Sequence, residues 1–335
     1  MDTTNREAAV QMMQFITAKW ISKPIYVVTR LGVPDIVGGG PKAVDEIAAE
    51  CGAYPPHLYR IMRALVAFGI FRETGERTFG PTPMSDCLRA GAMRSIALMF
   101  LSEWHDRAWD KLLRSVTTGE VAFEAAHGMP AFDWLEEHPD EAAVYNEANS
   151  IKAATSHGAI VDMYDFSGIE TVTDVGGGYG ALLAVILEVN PAITGTVADR
   201  PSVIERAKET IAAHGLEGRC VAVPCDFFEE IPAGSDAYIL SHILHNWPDV
   251  RCRAILGNLH RAMGNGSRLL AVEMIVPPGN EPSVAKLLDL EVLVMGGGRE
   301  RSEAEFRELF ETAGFVLRRI IPMRESVCML ECVKK

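Results

Sequence analysis

From residue 168 onward, short apolar runs alternate with amphipathic stretches. The segments "ETVTDVGGGYG", "ITGTVADR", "RCVAVPCDFF", "DAYILSHIL" and "SRLLAVEMIVPP" each hold an apolar run bounded by turn residues, and each predicts a short strand. Between them, "ALLAVILEVN", "PSVIERAKETIAAHG" and "VRCRAILGNLHRAMG" carry apolar residues at helical spacing. Strands that alternate with helices make βαβ units. The second half is therefore expected to be an α/β domain, 166–335, with a mostly parallel sheet and helices on both faces.

The first hundred residues have a different rhythm. "NREAAVQMMQFITAKWISKPIYVVTRLGVPDIV" is periodic like a helix and is expected to break before Pro24 and Pro34. "AVDEIAAECG" predicts a helix closed by Gly52, and "PHLYRIMRALVAFGIF" a second closed by Gly69. "FRETGERTFGPT" alternates around Gly75 and predicts a hairpin. Two short helices followed by a hairpin form a winged-helix pattern over 1–100. Such a unit can bind DNA, here through His57, Arg60 and Arg63, or it can be a packing or dimerisation domain. Residues 101–165 read as a helical connector with aromatic punctuation at Trp104, Trp109, Phe123, Phe132, Trp134 and Tyr145, and as loop-rich between Gly119 and Gly128. This connector either helps line a pocket for a flat apolar ligand or is plain core.

Composition narrows the classes. The 335 residues are 48% hydrophobic and 23% charged, ordinary values for a globular protein with a large core. A net charge of -13 argues against a mainly electrostatic grip on nucleic acid or an anionic membrane, and it suits a cationic small ligand. No apolar run is long enough to span a bilayer, and "MDTTNREAAV" lacks the pattern of a signal peptide. The seven cysteines are scattered, with no CxxC spacing. They fit a reducing compartment, and a cytoplasmic location is expected.

The stretch "DVGGGYGALL" ends one strand and opens a helix. Its spacing is Gly176-x-Gly178-x-Gly180 with Asp174 two residues earlier, and Ala181 follows Gly180, so the GxGxxG that seats a pyrophosphate is missing. A ligand with a cationic end and no phosphate would suit an acidic residue beside such a loop, and glycines let the backbone come close. The next strand ends at Asp199, where a carboxylate can accept from ribose hydroxyls. The third is followed by Asp226 and Phe227, an acid and an aromatic able to hold an adenine. The competing assignment makes all three acids helix N-caps.

With these motifs, the chain resembles the S-adenosylmethionine-dependent O-methyltransferases of the plant caffeic-acid type and their bacterial natural-product relatives. The resemblance spans nearly the whole chain and is carried by "LYRIMRALVAFGIF", "TTGEVAFEAAHG", "DVGGGYGALL", "HILHNWPD" and "GGGRERSEAEF". It implies a winged-helix dimerisation domain, a homodimer whose subunits complete each other's pockets, and a Rossmann-like methyltransferase domain binding S-adenosylmethionine. By matching position, Gly176, Gly178 and Asp174 would meet the methionine part, Asp199 the ribose, Asp226 and Phe227 the adenine, and Ser241 a further part of the cofactor. His245 would be the catalytic base, flanked by Glu273 and Glu300. Asn246, Trp247, Met295 and Asn149 would face the acceptor. Two departures stand out: Asn246 replaces the usual Asp after the histidine, and Asn149 stands where the family often has a Met.

The chemistry is in-line displacement at an activated methyl. Alignment supplies much of the barrier reduction, at best ~7–11 kcal/mol. A phenol, with a pKa near ~10, must also lose its proton, and a histidine near ~6.5 can take it. A carboxylate on the far ring nitrogen would fix the tautomer, and Glu273 or Glu300 could serve. The expected acceptor is a small aromatic or polyketide-like hydroxyl compound. Carbon or nitrogen methylation, a reaction without transfer, and a DNA-binding regulator are the rivals. His242 reads as a structural histidine. A His-x-x-His metal site with Glu273 is the alternative there, and no metal is assigned.

Overall fold

The computed structural model describes residues 3–323 and 327–335, including all side chains in these ranges except those of residues 3, 4 and 152–157. The chain forms two compact units: Met1–Asp106 with Ala143–Ile151, and Arg107–Ala142 with Lys152–Lys335.

The first unit is helical around a small sheet. Strand β1 (Lys42–Ala43) pairs antiparallel with β3 (Thr78–Gly80), which forms a hairpin with β2 (Arg72–Gly75). Helix Val44–Cys51 starts where the Ala43 N–H donates to Glu46 Oε2 (3.1 Å), and it stops at Gly52, held at φ +69°. Helix Pro55–Val66 places Leu58, Met62 and Leu65 in a core with Val28, Ile47, Phe71 and Phe79. The break expected before Pro24 is absent. Lys19–Arg30 is one helix with Pro24 inside it, and the chain turns instead at Thr17–Ala18. Proline there forfeits a bond to the Trp20 carbonyl, at a cost of about 3 kcal/mol. Burial of Val28, with Ile21 and Ile25 packed partly against the same core, offsets it. In the preceding helix, Val10, Met12, Met13, Phe15 and Ile16 are each more than half exposed, as is Trp20.

The second unit carries the sheet. Strands β4 (Thr171–Val175), β5 (Thr194–Asp199), β6 (Cys220–Pro224), β7 (Ala237–Ser241) and β8 (Arg268–Met274) are parallel. Strands β9 (Phe315–Pro322) and β10 (Val327–Lys334) run antiparallel at one edge, giving the order β6-β5-β4-β7-β8-β10-β9. Successive residues face opposite layers: Ile239, Leu270 and Val272 pack into one core, and Tyr238, Leu240, Leu269 and Ala271 into the other. The five predicted strands and the three helices between them are all present. The antiparallel pair and the helices Val284–Gly296 and Glu303–Thr312 were not foreseen. The supposedly loop-rich segment is three short helices, Leu112–Thr118, Ala122–His127 and Ala131–Glu137, broken at Gly119 and Gly128. Among the described residues no helix is long and apolar enough to cross a membrane.

Strand order reverses direction between β4 and β7. In an open parallel sheet that switch point leaves a crevice at the carboxyl ends of the two strands. Here β4 runs into the glycine loop and β7 into "HILHNW".

Candidate active site

The glycine loop is shaped by what lies under it. Gly176 follows β4 at φ +72°, and a Cβ there would fall 2.5 Å from Ile243 Cδ1. The loop is thus pressed against the segment that follows β7, and the left-handed backbone there favours glycine. Gly178, at φ +57°, faces open space, and its N–H donates to Asp199 Oδ2 at 2.7 Å. Asp199 Oδ1 accepts from Arg200 N–H at 2.6 Å, so this carboxylate pins the loop to the end of β5. Burial pushes the Asp199 carboxyl up, against the pull of these two N–H groups.

Asp174 lies in β4 directly beneath the loop and is buried, and its Oδ1 has no hydrogen-bond partner among the described residues. Burial, with the neighbouring charge of Asp199, pushes its carboxyl up to about 7. None of the three acids caps a helix. Gly180 and Arg200 hold the N-cap positions of the helices after β4 and β5, and Asp226 Oδ1 accepts from Phe228 N–H (2.9 Å) in a local turn. Asp226 is exposed, and Phe227 and Ser241 are half-buried.

The turn after β7 is braced from every side. His242 sits at φ +54°, one of two non-glycine residues in left-handed backbone among those described. A short 3₁₀ turn, Leu244–Asn246, follows. Leu244 N–H donates to Glu273 Oε1 (2.7 Å), and Asn246 Nδ2 donates to the His242 carbonyl (2.8 Å). Arg301 is 1% exposed. Its Nη1 donates to the Leu244 carbonyl (3.0 Å), and its Nη2 to the Trp247 carbonyl (3.0 Å) and to Asp249 Oδ1 (2.7 Å). Gly298 presses on the same turn: a Cβ there would fall 2.1 Å from the His245 carbonyl oxygen.

This frame presents His245, whose Nδ1 lies 2.6 Å from Glu300 Oε1. Both side chains are buried. A carboxylate on Nδ1 places the ring proton there and leaves the lone pair on Nε2. Of the two acids expected near the base, Glu300 is the one that meets Nδ1, while Glu273 holds the backbone. Glu273 is fully buried, with no partner for Oε2 among the described residues. Burial, opposed by the His245 charge, takes its carboxyl up to about 7. One ligand atom each from His242, His245 and Glu273 lie within 4.8 Å of one another.

Trp247 leaves this turn into an aromatic cluster. It stacks with Phe132 (centroids 5.7 Å, 30°) and meets Phe228 edge-on (4.8 Å, 89°), with Phe227 6.3 Å away. The Arg251 guanidinium lies 3.6 Å over Phe228. Met295 is half-buried in the helix Val284–Gly296, and Asn149 belongs to the first unit. Arg301 escaped sequence reasoning even though it sits inside the "GRERS" motif, where only the acid next to it drew notice.

Residues 109–316 match the O-methyltransferase domain family, and residues 13–91 match the O-methyltransferase dimerisation domain. The chain belongs to the O-methyltransferase family. It is 41% identical to the phenazine O-methyltransferase of Lysobacter antibioticus, with 99% of each chain covered. Among solved structures, the mitomycin 7-O-methyltransferase superposes with a TM-score of 0.94 at 35% identity, covering 99% of this chain and 100% of that one. An O-methyltransferase from neocarzinostatin biosynthesis, in complex with S-adenosylmethionine and 2-hydroxy-5-methyl naphthoic acid, superposes at 0.83 with 31% identity, covering 94% and 96%. The enzyme is thus a methyltransferase with its own dimerisation domain, and its glycine loop and His245 turn stand side by side at the switch point of the sheet.

Proposed function

We propose that this enzyme uses S-adenosylmethionine to methylate a hydroxyl on a small, flat aromatic or polyketide-like acceptor, with His245 as general base. The observation that carries this reading is the buried 2.6 Å contact of His245 Nδ1 with Glu300. A base must hold its lone pair toward the acceptor, and a carboxylate behind the ring both sets that tautomer and stabilises the imidazolium.

The residues at the glycine loop fit the cofactor. Open space above Gly178 and the Asp174 Oδ1, without a partner among the described residues, favour a ligand with a cationic amino group and no phosphate. Asp174, Gly176 and Gly178 would hold its methionine part, Asp199 the ribose, Asp226 and Phe227 the adenine, with Ser241 at the end of β7 beside them. When bound, the cofactor supplies an electrophilic methyl group. This chain's own residues orient the acceptor, keep water out and take the phenolic proton at His245. Trp247, with Asn246 and Met295, would face the acceptor. A rigid aromatic surface next to the base suits a flat ring. The relatives support that class: one is named for a phenazine and one for mitomycin, and a third holds a naphthoic acid. The dimerisation domain and the exposed apolar row from Val10 to Trp20 support a homodimer.

The test is His245→Ala assayed with a hydroxylated naphthoate or phenazine acceptor. Turnover, read as a product heavier by one methylene, should fall by ~10²–10⁴-fold. Affinity for S-adenosylhomocysteine, measured by calorimetry, should stay as in the wild type. Undiminished turnover in that variant sinks the base assignment.

A further inference from the structure

The proposed O-methyl transfer uses His245 but leaves two neighbours unexplained: His242, in left-handed backbone, and the fully buried Oε2 of Glu273, which has no partner among the described residues. An extended strand would send residues 242 and 245 to opposite faces. The positive φ at His242 and the 3₁₀ turn after it bring both rings to one side, with centroids 5.6 Å apart. Glu273 completes the group from the end of β8.

We propose that His242, His245 and Glu273 form a binding site for a divalent transition-metal ion of the zinc type, and that its occupancy switches methyl transfer off. Two imidazoles and a carboxylate are a ligand set such ions take, with a fourth position open. Ligand atoms on a tetrahedral zinc lie about 3.4 Å apart. The three found here lie within 4.8 Å of one another, so a bound ion would draw them closer together. Glu300 on Nδ1 directs Nε2 of His245 toward the ion, the second carboxylate that histidine ligands commonly have behind them. The ion then occupies the lone pair that must receive the acceptor's proton. The inhibitory half of the proposal rests on His245 being the base; the binding half does not.

The test uses full-length, metal-stripped enzyme titrated with zinc chloride, with a chelating dye as competitor. One ion per chain should bind, turnover should stop, and chelator should restore it. Cobalt chloride should give d–d absorption without a thiolate charge-transfer band, which separates this site from the seven free cysteines. His242→Asn tolerates the left-handed backbone. It should keep metal-free turnover, bind zinc at least ~10-fold more weakly and resist zinc inhibition. A thiolate band, or zinc affinity unchanged in both His242→Asn and Glu273→Gln, overturns the site. Zinc bound through His242 with turnover intact keeps the site and removes both the switch and the base assignment.

Discussion

Replacing Arg301 by lysine tests how strongly His245, the proposed base, depends on its frame. The guanidinium spreads its donors over the Leu244, Trp247 and Arg299 carbonyls and Asp249 Oδ1, at 2.7 to 3.2 Å. A lysine amine is a single nitrogen and cannot span this set. At least two bonds from the turn are lost, each a charged donor to a buried carbonyl worth about 1.5–3 kcal/mol. The ion pair itself counts for less, because the Asp249 side chain is 41% exposed. A net loss of about 3 kcal/mol follows. For a unit of this size that lowers Tm by roughly 6–12 °C. The functional effect should be larger than the structural one, since a displacement of about 1 Å at a reacting group costs on the order of 10²-fold. Urea unfolding reads the first, and steady-state methylation well below the new Tm reads the second. The expected pattern is a lower kcat with unchanged cofactor affinity. A variant that unfolds earlier but keeps its kcat shows that Arg301 only braces the fold. If neither quantity changes, the framing role is refuted.

Two further outcomes follow from the same site. Asn246→Asp installs the residue usual in the family, yet here the Asn246 amide donates to the His242 carbonyl at 2.8 Å, and a carboxylate cannot. It should cost about 1–3 kcal/mol in urea unfolding, and an unchanged midpoint would show that the bond contributes nothing. Asp174 has its carboxyl raised from 3.8 to about 7, so the folded chain binds a proton that the unfolded chain has released. That stabilisation is complete below about pH 4 and is lost as the pH rises through about 7, a change of roughly 2–4 kcal/mol for this group. Cofactor-free wild type should therefore be more stable at pH 5 than at pH 8 by more than Asp174→Asn is. Equal pH slopes for the two proteins would contradict the burial argument.

Local pattern made the α/β unit legible. Its five parallel strands are apolar runs, most of them cut off by glycine, proline or aspartate, and the helices between them carry a helical period. Gly52, Gly119 and Gly128 end their helices where the sequence places them, because a left-handed residue is a local requirement. The antiparallel edge was not legible. In β9, Arg318 and Arg319 interrupt the apolar pattern, and the strand is held by its neighbour β10 rather than by its own periodicity. Pro24 misled because tertiary burial outweighed a local helix breaker.

By itself, the sequence determined the strand–helix alternation and the glycine loop that follows β4, and it singled out His245 as the candidate base. These follow from residue type and short-range spacing. Tertiary structure alone decided which acid serves which partner. Glu273 and Glu300 are equivalent in one dimension, but β8 aims the first at the Leu244 N–H, and the parallel bridge of Ile275 to Arg301 brings the second to His245. It also decided that His242 shares the side of His245 and that a buried arginine clamps the turn. Glu273 reaches Leu244 across 29 positions, and Glu300 and Arg301 reach the turn across more than fifty, so no local period encodes these contacts.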